Sequence, residues 1–123
     1  MANPNIISAT SILGKIAYDT DIATTASAIV TNSASSGTLV KINSLIIANI
    51  DGTNAADITA TVRNAAGGTT YSTLANTISV PADATLVVVS KDTSVYLEED
   101  MSLYIAASAA GDLSATCSYE VIS

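Results

Sequence analysis

The segment Asp57-Ile58-Thr59-Ala60-Thr61-Val62-Arg63 alternates strictly between polar and apolar side chains. Successive side chains of a β-strand point to opposite faces, so this pattern predicts a strand that turns Ile58, Ala60 and Val62 towards a core. The polar face carries Asp57 and Arg63, which are typical of a solvated sheet surface. The segment therefore predicts a half-buried strand in an antiparallel sheet.

Other segments show the same period of two. Leu103, Ile105 and Ala107 alternate with less apolar neighbours. In the last segment one predicted face is shared by Leu113, Ala115, Cys117, Tyr119 and Val121. Tyr71 is also predicted to point inward. Cys117 lies among apolar residues and its nearest charged neighbours in sequence are acidic, so we expect a buried, unreactive thiol.

Turn residues separate these strands at short intervals. Asp51-Gly52, Gly67-Gly68 and Gly111-Asp112 are of the types that take positive φ in tight turns, and Pro81 cannot continue a strand ladder. Strands are predicted near 12–18, 26–32, 38–50, 56–64, 70–80, 84–91, 102–108 and 113–122, with a short extended piece near 94–97. About eight strands with short connections predict an all-β fold, either an antiparallel β-sandwich or a jelly-roll-like domain.

Length and composition bound the organisation and exclude several functions. The chain has 123 residues, which is the size of one domain. We predict an N-terminal arm or first strand over residues 1–20 and a single β-sandwich domain over residues 21–123. With 4 basic residues, 11 acidic ones and a net charge of −7, the chain is not expected to bind nucleic acid. It has no apolar run of about 18 residues, so no membrane helix is predicted.

The residues of common catalytic and metal sites are missing from the sequence. It contains no histidine and 1 cysteine, which excludes Ser-His-Asp catalysis, histidine-ligated metals and an internal disulfide. We therefore predict that the protein is not an enzyme and needs no cofactor or metal. The N-terminus lacks the basic start and apolar stretch of a signal peptide, which favours synthesis and assembly in the cytoplasm.

Acidic groups provide three weak candidates for a cation site or an acid–base pair. Glu98-Glu99-Asp100 could hold calcium with help from carbonyl groups, but a solvated turn between strands is the favoured interpretation. Asp19 and Asp21 could form a carboxylate pair, although an exposed loop explains them better. Asp51-Gly52-Thr53-Asn54 has residue types of a calcium loop without its spacing, and a hairpin turn is sufficient.

Apolar residues outside the alternating pattern are candidates for an interface. Leu45-Ile46-Ile47 and Leu86-Val87-Val88-Val89 are continuous apolar runs, which predict strands covered on both faces. The cover could be the second layer of the same fold, which is the favoured alternative, or another subunit. The candidate interface residues are Ile6, Ile7, Ile12, Leu13, Leu45, Ile47, Tyr96 and Tyr104. Tyr96 and Tyr104 could equally belong to the core.

From residue 38 onward the chain resembles small virion structural proteins of tailed bacteriophages, a group common among cyanophages. Three blocks in the family's order carry the resemblance: residues 46–59 (IIANIDGTNAADIT), residues 77–88 (TISVPADATLVV), and residues 96–103 (YLEEDMSL) followed by 108–113 (SAAGDL) and 118–123 (SYEVIS). They consist of turns and core positions and contain no active-site motif. Residues 1–37 show no match to the family. The resemblance implies a β-sandwich virion protein.

The resemblance and the composition together predict a structural function. We expect a capsid decoration or cement protein that binds the major capsid protein lattice on the virion surface as a homo-oligomer. A trimer is favoured because it suits local threefold positions. A tail, baseplate or fibre-associated component is the first alternative. A host-surface carbohydrate-binding module is the second, and the lack of tryptophan argues against it. The N-terminal arm is the predicted anchor, with its isoleucines and Leu13 available for burial.

Overall fold

The computed structural model describes residues 3–123 and forms nine β-strands within them. The strands are β1 (Ile12–Asp19), β2 (Ser27–Asn32), β3 (Leu39–Asn49), β4 (Ala56–Asn64), β5 (Thr70–Val80), β6 (Thr85–Val89), β7 (Val95–Leu97), β8 (Met101–Ala107) and β9 (Leu113–Ile122). Single turns of 3-10 helix occupy Ile6–Ser8 and Lys91–Thr93. The predicted all-β fold is confirmed. The extended piece expected near 94–97 is the strand β7, which brings the number of strands to nine.

The strands form two antiparallel sheets that pack face to face. Sheet A has the order β1-β9-β3-β6, with β7 also paired to β3, and sheet B has the order β2-β8-β4-β5. If β7 is left aside, the chain crosses to the other sheet after every strand except β4, which is followed by β5 in the same sheet. This arrangement of eight strands is that of a jelly roll. β1 therefore lies at one edge of sheet A, while β2 and β5 are the two edges of sheet B.

The N-terminal part of the chain belongs to sheet A. β1 pairs with β9 along its whole length, from Ile12 opposite Ile122 to Asp19 opposite Ala115. Residues 12–19 are thus a strand of the sandwich, whereas the first two residues of the predicted arm lie outside the described residues. Just before β1, the backbone amides of Thr10 and Ser11 donate to the Ser123 carbonyl at 2.7 and 2.9 Å. This bridge holds the entry to β1 against the end of β9.

The core consists of the apolar faces that alternation predicts. Ile58, Ala60 and Val62 of β4 are buried, and so are Leu103, Ile105 and Ala107 of β8. On β9 the predicted face is buried at Leu113, Ala115 and Cys117 and half-buried at Tyr119 and Val121. The period of two therefore identifies the inward face of each of these strands.

Tyr71, which the alternation places inward, is 52 % exposed, so that prediction is wrong. The cause is a β-bulge in β5. Val62 of β4 pairs with Ser72 and the next residue, Arg63, pairs with Thr70, so Tyr71 is an extra residue without a partner. A bulge shifts the alternation by one residue, and its position is set by the partner strand.

Two buried asparagines attach loops to the ends of the sandwich. The Asn32 amide donates to the carbonyls of Thr38 and Leu97, both at 3.0 Å. The Asn49 amide donates to the carbonyls of Asn54 and Val80 at 3.0 and 2.9 Å. A buried amide group is stable only when its donors and acceptors are paired, so these bonds fix where the loops run.

Candidate functional site

The apolar run in β3 contributes to the core. Leu45 and Ile47 are fully buried within the hydrophobic cluster between the sheets, which corrects their assignment as interface residues. β3 is a central strand of sheet A, with β9 on one side and β6 on the other, so its inward side chains are covered by sheet B. Ile46 points to the outer face and is only half-buried. The run therefore supplies both faces of one sheet.

Exposed apolar residues are concentrated at the N-terminal end of the chain. Among the described residues, 11 large apolar side chains are exposed, and those at or before β1 are Ile6, Ile7, Ile12, Leu13, Ile16 and Tyr18. Ile7 is 97 % exposed and Tyr18 is 71 % exposed. The structure thus brings Ile12 and Leu13 together on β1, with Ile6 and Ile7 on the preceding turn.

We call the free side of β1, residues 12–19, the β1 edge. Six of its eight residues are exposed, including apolar residues on both faces of the strand. Lys15 and Asp19 are its charged residues. β1 pairs with β9 without any shift in register, so no bulge disturbs the edge. A long, regular and largely apolar edge presents unpaired backbone groups to solvent and is a template for pairing with another strand.

The outer face of sheet A continues the apolar surface inward from the β1 edge. A row of residues in register crosses four strands, from Tyr18 to Thr116, Ile46 and Val87. Val87, from the second apolar run, is 54 % exposed. A charge-free row of this kind can be covered by a partner without desolvating an ion.

Sequence reasoning missed Tyr18 as a surface residue, whereas Val87 belongs to the apolar run for which it left a contact with another subunit open. The detectable signal was in β1 itself, where the sequence ILGKIAYD does not alternate. A strand without alternation is apolar on both faces, so a neighbouring layer or subunit must cover it or it stays exposed.

Tyr104, another predicted interface residue, packs within its own chain. The Arg63 guanidinium carbon lies 5.0 Å from the centre of the Tyr104 ring, which is a cation–π contact. Arg63 Nε also donates to Thr61 Oγ1 at 3.0 Å. The Tyr104 hydroxyl reaches the turn at Gly67, where an added Cβ would collide with it. Tyr96, in contrast, is 43 % exposed on β7.

Glu98, Glu99 and Asp100 form a turn beside a shallow cavity of about 370 Å³, which Asn3, Ala34 and Ser35 also line. Asn3 Nδ2 donates to Glu98 Oε1 at 2.6 Å, and the Gly37 amide donates to Glu99 Oε2 at 3.2 Å. Within residues 3–123, no group of three acidic, cysteine or histidine side chains is placed to hold a metal ion. The carboxylates thus anchor neighbouring loops.

A second acidic group joins three loops at one end of the sandwich. Asp51 Oδ1 accepts from the Thr53 amide at 2.8 Å, and this bond lowers the pKa of Asp51. The pKa of Asp112 is raised by desolvation first and then by the charges of Asp51 and Asp21. Asp21 Oδ1 accepts from the Gly111 amide at 2.7 Å. The sequence analysis favoured an exposed loop for Asp19 and Asp21 over a carboxylate pair, and the fold also brings Asp21 close to Asp112.

Cys117 lies on the inner face of β9, in register with Leu45 on one side and Ala17 of β1 on the other. It is fully buried, and burial raises the pKa of the Cys117 thiol to about 12. Its burial agrees with the sequence prediction. A thiol of this kind is protonated at neutral pH and closed to reagents, so it belongs to the core.

The comparisons with known proteins include a distant structural likeness. No family model and no curated protein matches the sequence. A solved structure described as "Bacillus endospore appendages form a novel family of disulfide-linked pili" superimposes with a TM-score of 0.53 at 17 % sequence identity. The match covers 100 % of this chain and 96 % of that one. At this identity the likeness establishes the β-sandwich fold and nothing more specific. No helix among residues 3–123 has the length and apolarity to cross a membrane.

Proposed function

We propose that this chain is a non-catalytic structural subunit that associates with further copies of itself on a larger particle. The observation that carries the proposal is the β1 edge, a regular strand edge with exposed apolar residues on both faces. An edge of this kind is an aggregation hazard in a monomer and is tolerated when a partner covers it. The low charged fraction of 12 % leaves further uncharged surface for contacts.

In the specific form of this proposal the particle is a tailed-phage virion and the chain is a decoration protein on the capsid surface. The three sequence blocks shared with small virion proteins support this form, and the net charge of −7 suits a protein that must not attract packaged DNA. The major capsid protein is the proposed partner. The tail or baseplate is the alternative virion location, and copy number distinguishes the two.

A second candidate is a subunit of an extracellular fibre, which the fold shared with the endospore appendage protein favours. That protein is described as disulfide-linked, whereas the single cysteine of this chain is buried in the core. A fibre built from this chain would therefore have to be held by non-covalent contacts between its strands and exposed apolar surfaces.

The experiment is light scattering and negative-stain microscopy of the purified full-length protein, with and without particles of a phage that encodes it. Closed oligomers that add to virions in hundreds of copies support the capsid role. Open filaments formed by the protein alone favour the fibre role. A monomer that neither associates nor adds to particles contradicts the structural function as a whole.

A further inference from the structure

We propose that two copies of the chain pair through their β1 edges in antiparallel fashion, related by a twofold axis at Ala17, so that sheet A continues from one copy into the next. The inference rests on the proposed structural function and specifies its interface. It names a second copy of this chain as the partner, and it predicts a dimer where threefold capsid positions would favour a trimer.

The first argument compares the edges of the two sheets. At the edges of sheet B, β5 has three register shifts in its pairing and β2 has one. At the other edge of sheet A, β6 has only five residues and one register shift. Bulges and short length are the usual devices that stop an edge from pairing. β1 has eight residues in unbroken register. It is therefore the edge best shaped to accept another strand.

The second argument is the placement of charge along β1. Lys15, Ala17 and Asp19 share one face, and Ile16 and Tyr18 share the other, because side chains alternate along a strand. In an antiparallel pair centred on Ala17, Lys15 of one copy lies opposite Asp19 of the second copy. The twofold axis creates this pair twice. A pairing centred on Lys15 would instead place two lysines opposite each other.

The same register also matches the apolar face. It sets Ile16 of one copy opposite Tyr18 of the second copy, again twice, and both side chains are exposed in the single chain. Aromatic and β-branched residues directly across an antiparallel pair stabilise it. The same antiparallel alignment of two β1 strands, centred on Ala17, thus pairs opposite charges on one face and apolar side chains on the other over residues 15–19.

The β1 edge is electrically neutral although the chain as a whole is acidic. Each chain carries a net charge of −7, so most approaches bring acidic groups together. The acidic turns at Glu98–Asp100 and around Asp112 lie outside β1, which carries one positive and one negative charge. Pairing through the β1 edge therefore adds no net charge to the contact.

Charge reversal on the full chain tests the pairing, with association measured by sedimentation equilibrium. Lys15→Glu sets two carboxylates opposite each other at each pair, and Asp19→Lys sets two ammonium groups there, so each variant alone should dimerise about tenfold more weakly or worse. In an equal mixture of the two variants, position 15 of each copy faces position 19 of the other, so the heterodimer has opposite charges at both contacts and should form in preference to either homodimer. The double variant Lys15→Glu/Asp19→Lys should dimerise with itself. Lys91→Glu, a reversal on the 3-10 turn before β7, is the matched control and should dimerise normally.

The outcomes separate this proposal from the function on which it rests. Asp19 Oδ1 accepts from the Asp21 amide, so circular dichroism melting must show that Asp19→Lys is folded; Lys15→Glu tests the same pair without touching that turn. A wild-type oligomer that ignores both single reversals, or a double variant that fails to recover dimers, overturns the twofold edge pairing alone. A wild-type chain that stays monomeric at high concentration overturns the edge pairing, and it contradicts the proposed function only if the chain also fails to add to particles.

Discussion

The edge strands β1 and β5 both expose apolar side chains but differ in the regularity of their backbones. Both contain exposed apolar side chains, Ile16 on β1 and Ile78 on β5. β5 has three register shifts, and Thr77 within it takes a positive φ of 47°, so its edge is repeatedly bent. β1 is regular throughout. Apolar exposure is therefore common to both edges, and the regularity of the backbone decides which one can accept a second strand.

The outer faces of the two sheets also differ, in how far contacts within the chain cover them. On the outer face of sheet B, Arg63 of β4 stacks on Tyr104 of β8, and the Ser102 hydroxyl of β8 donates to Thr31 Oγ1 of β2 at 3.0 Å. Beside β1, the row from Tyr18 to Val87 has no such internal cover and its two end residues are exposed. The outer face of sheet B is therefore covered by contacts within the chain, and the outer face of sheet A has exposed residues that a partner can contact.

Two glycine substitutions should give the largest difference in stability between these regions. Gly67→Ala puts a methyl group against the Tyr104 hydroxyl at a residue with φ of +82°, and should cost about 1–3 kcal/mol in the free energy of unfolding. Gly14→Ala in β1 meets nothing within 4 Å and should be neutral or stabilise by up to about 1 kcal/mol. Urea unfolding measures both. Equal losses would show that the turn at Gly67 is not closely packed.

Cys117 reports how firmly β1 is seated on the core. Cys117→Ser should destabilise the protein by about 1–3 kcal/mol because the buried hydroxyl is poorly paired. Cys117→Ala separates the loss of packing from the cost of the hydroxyl. Native-state labelling of the wild-type thiol should be slow, since the pKa of Cys117 is raised to about 12 and β1 covers one side. Rapid labelling without unfolding would show that β1 separates from β9.

The interaction of Arg63 with Tyr104 should contribute a smaller amount. Arg63→Met keeps much of the side-chain volume and removes the charge, and should cost about 0.5–1 kcal/mol in the free energy of unfolding. Lys91→Met, a similar change on the exposed 3-10 turn, is the control and should have little effect. Chemical denaturation of both proteins makes the comparison. A loss no greater than that of the control would leave the outer face of sheet B without this proposed support.

A substitution in the acidic loops should have the smallest effect on stability, and this effect should depend on pH. The pKa of Asp112 is raised above 3.8, so its stabilising contribution is present below that pH and is lost as the pH rises through the folded-state value. Asp112→Asn should therefore raise the melting temperature slightly at pH 7, and the gain should vanish below about pH 3.8. Asp92→Asn, on the exposed 3-10 turn, is the control. Destabilisation by Asp112→Asn at pH 7 would contradict the repulsion from Asp51 and Asp21.

The sequence was sufficient to predict the fold because side-chain alternation reports directly on which strand face is buried. Ile58, Leu103 and Cys117 all lie where the period of two places them. The same rule failed at Tyr71, where a bulge in the pairing with β4 shifted the alternation. Bulges depend on the partner strand, which a single segment does not identify.

The candidate site was predicted only in part. Ile12 and Leu13 were identified as apolar residues of a predicted N-terminal arm, and both are exposed on β1. Leu45 and Ile47 came from a continuous apolar run and are core residues, because β3 is central and β1 is an edge strand. Local sequence shows that a strand is apolar on both faces. The order of strands in the sheet, which depends on long-range pairing, decides whether those faces are covered.

The most direct test of β1 as the assembly edge is sedimentation equilibrium of Ile16→Asp beside Ile78→Asp, at matched concentrations of the full-length protein. The two changes place the same charge on exposed isoleucines of the two contrasted edge strands. Ile16→Asp should dimerise much more weakly because a carboxylate replaces the apolar side chain that faces Tyr18 of the second copy, while Ile78→Asp should associate as the wild type does. If Ile16→Asp associates normally, or Ile78→Asp alone dissociates, β1 is not the edge through which this protein assembles.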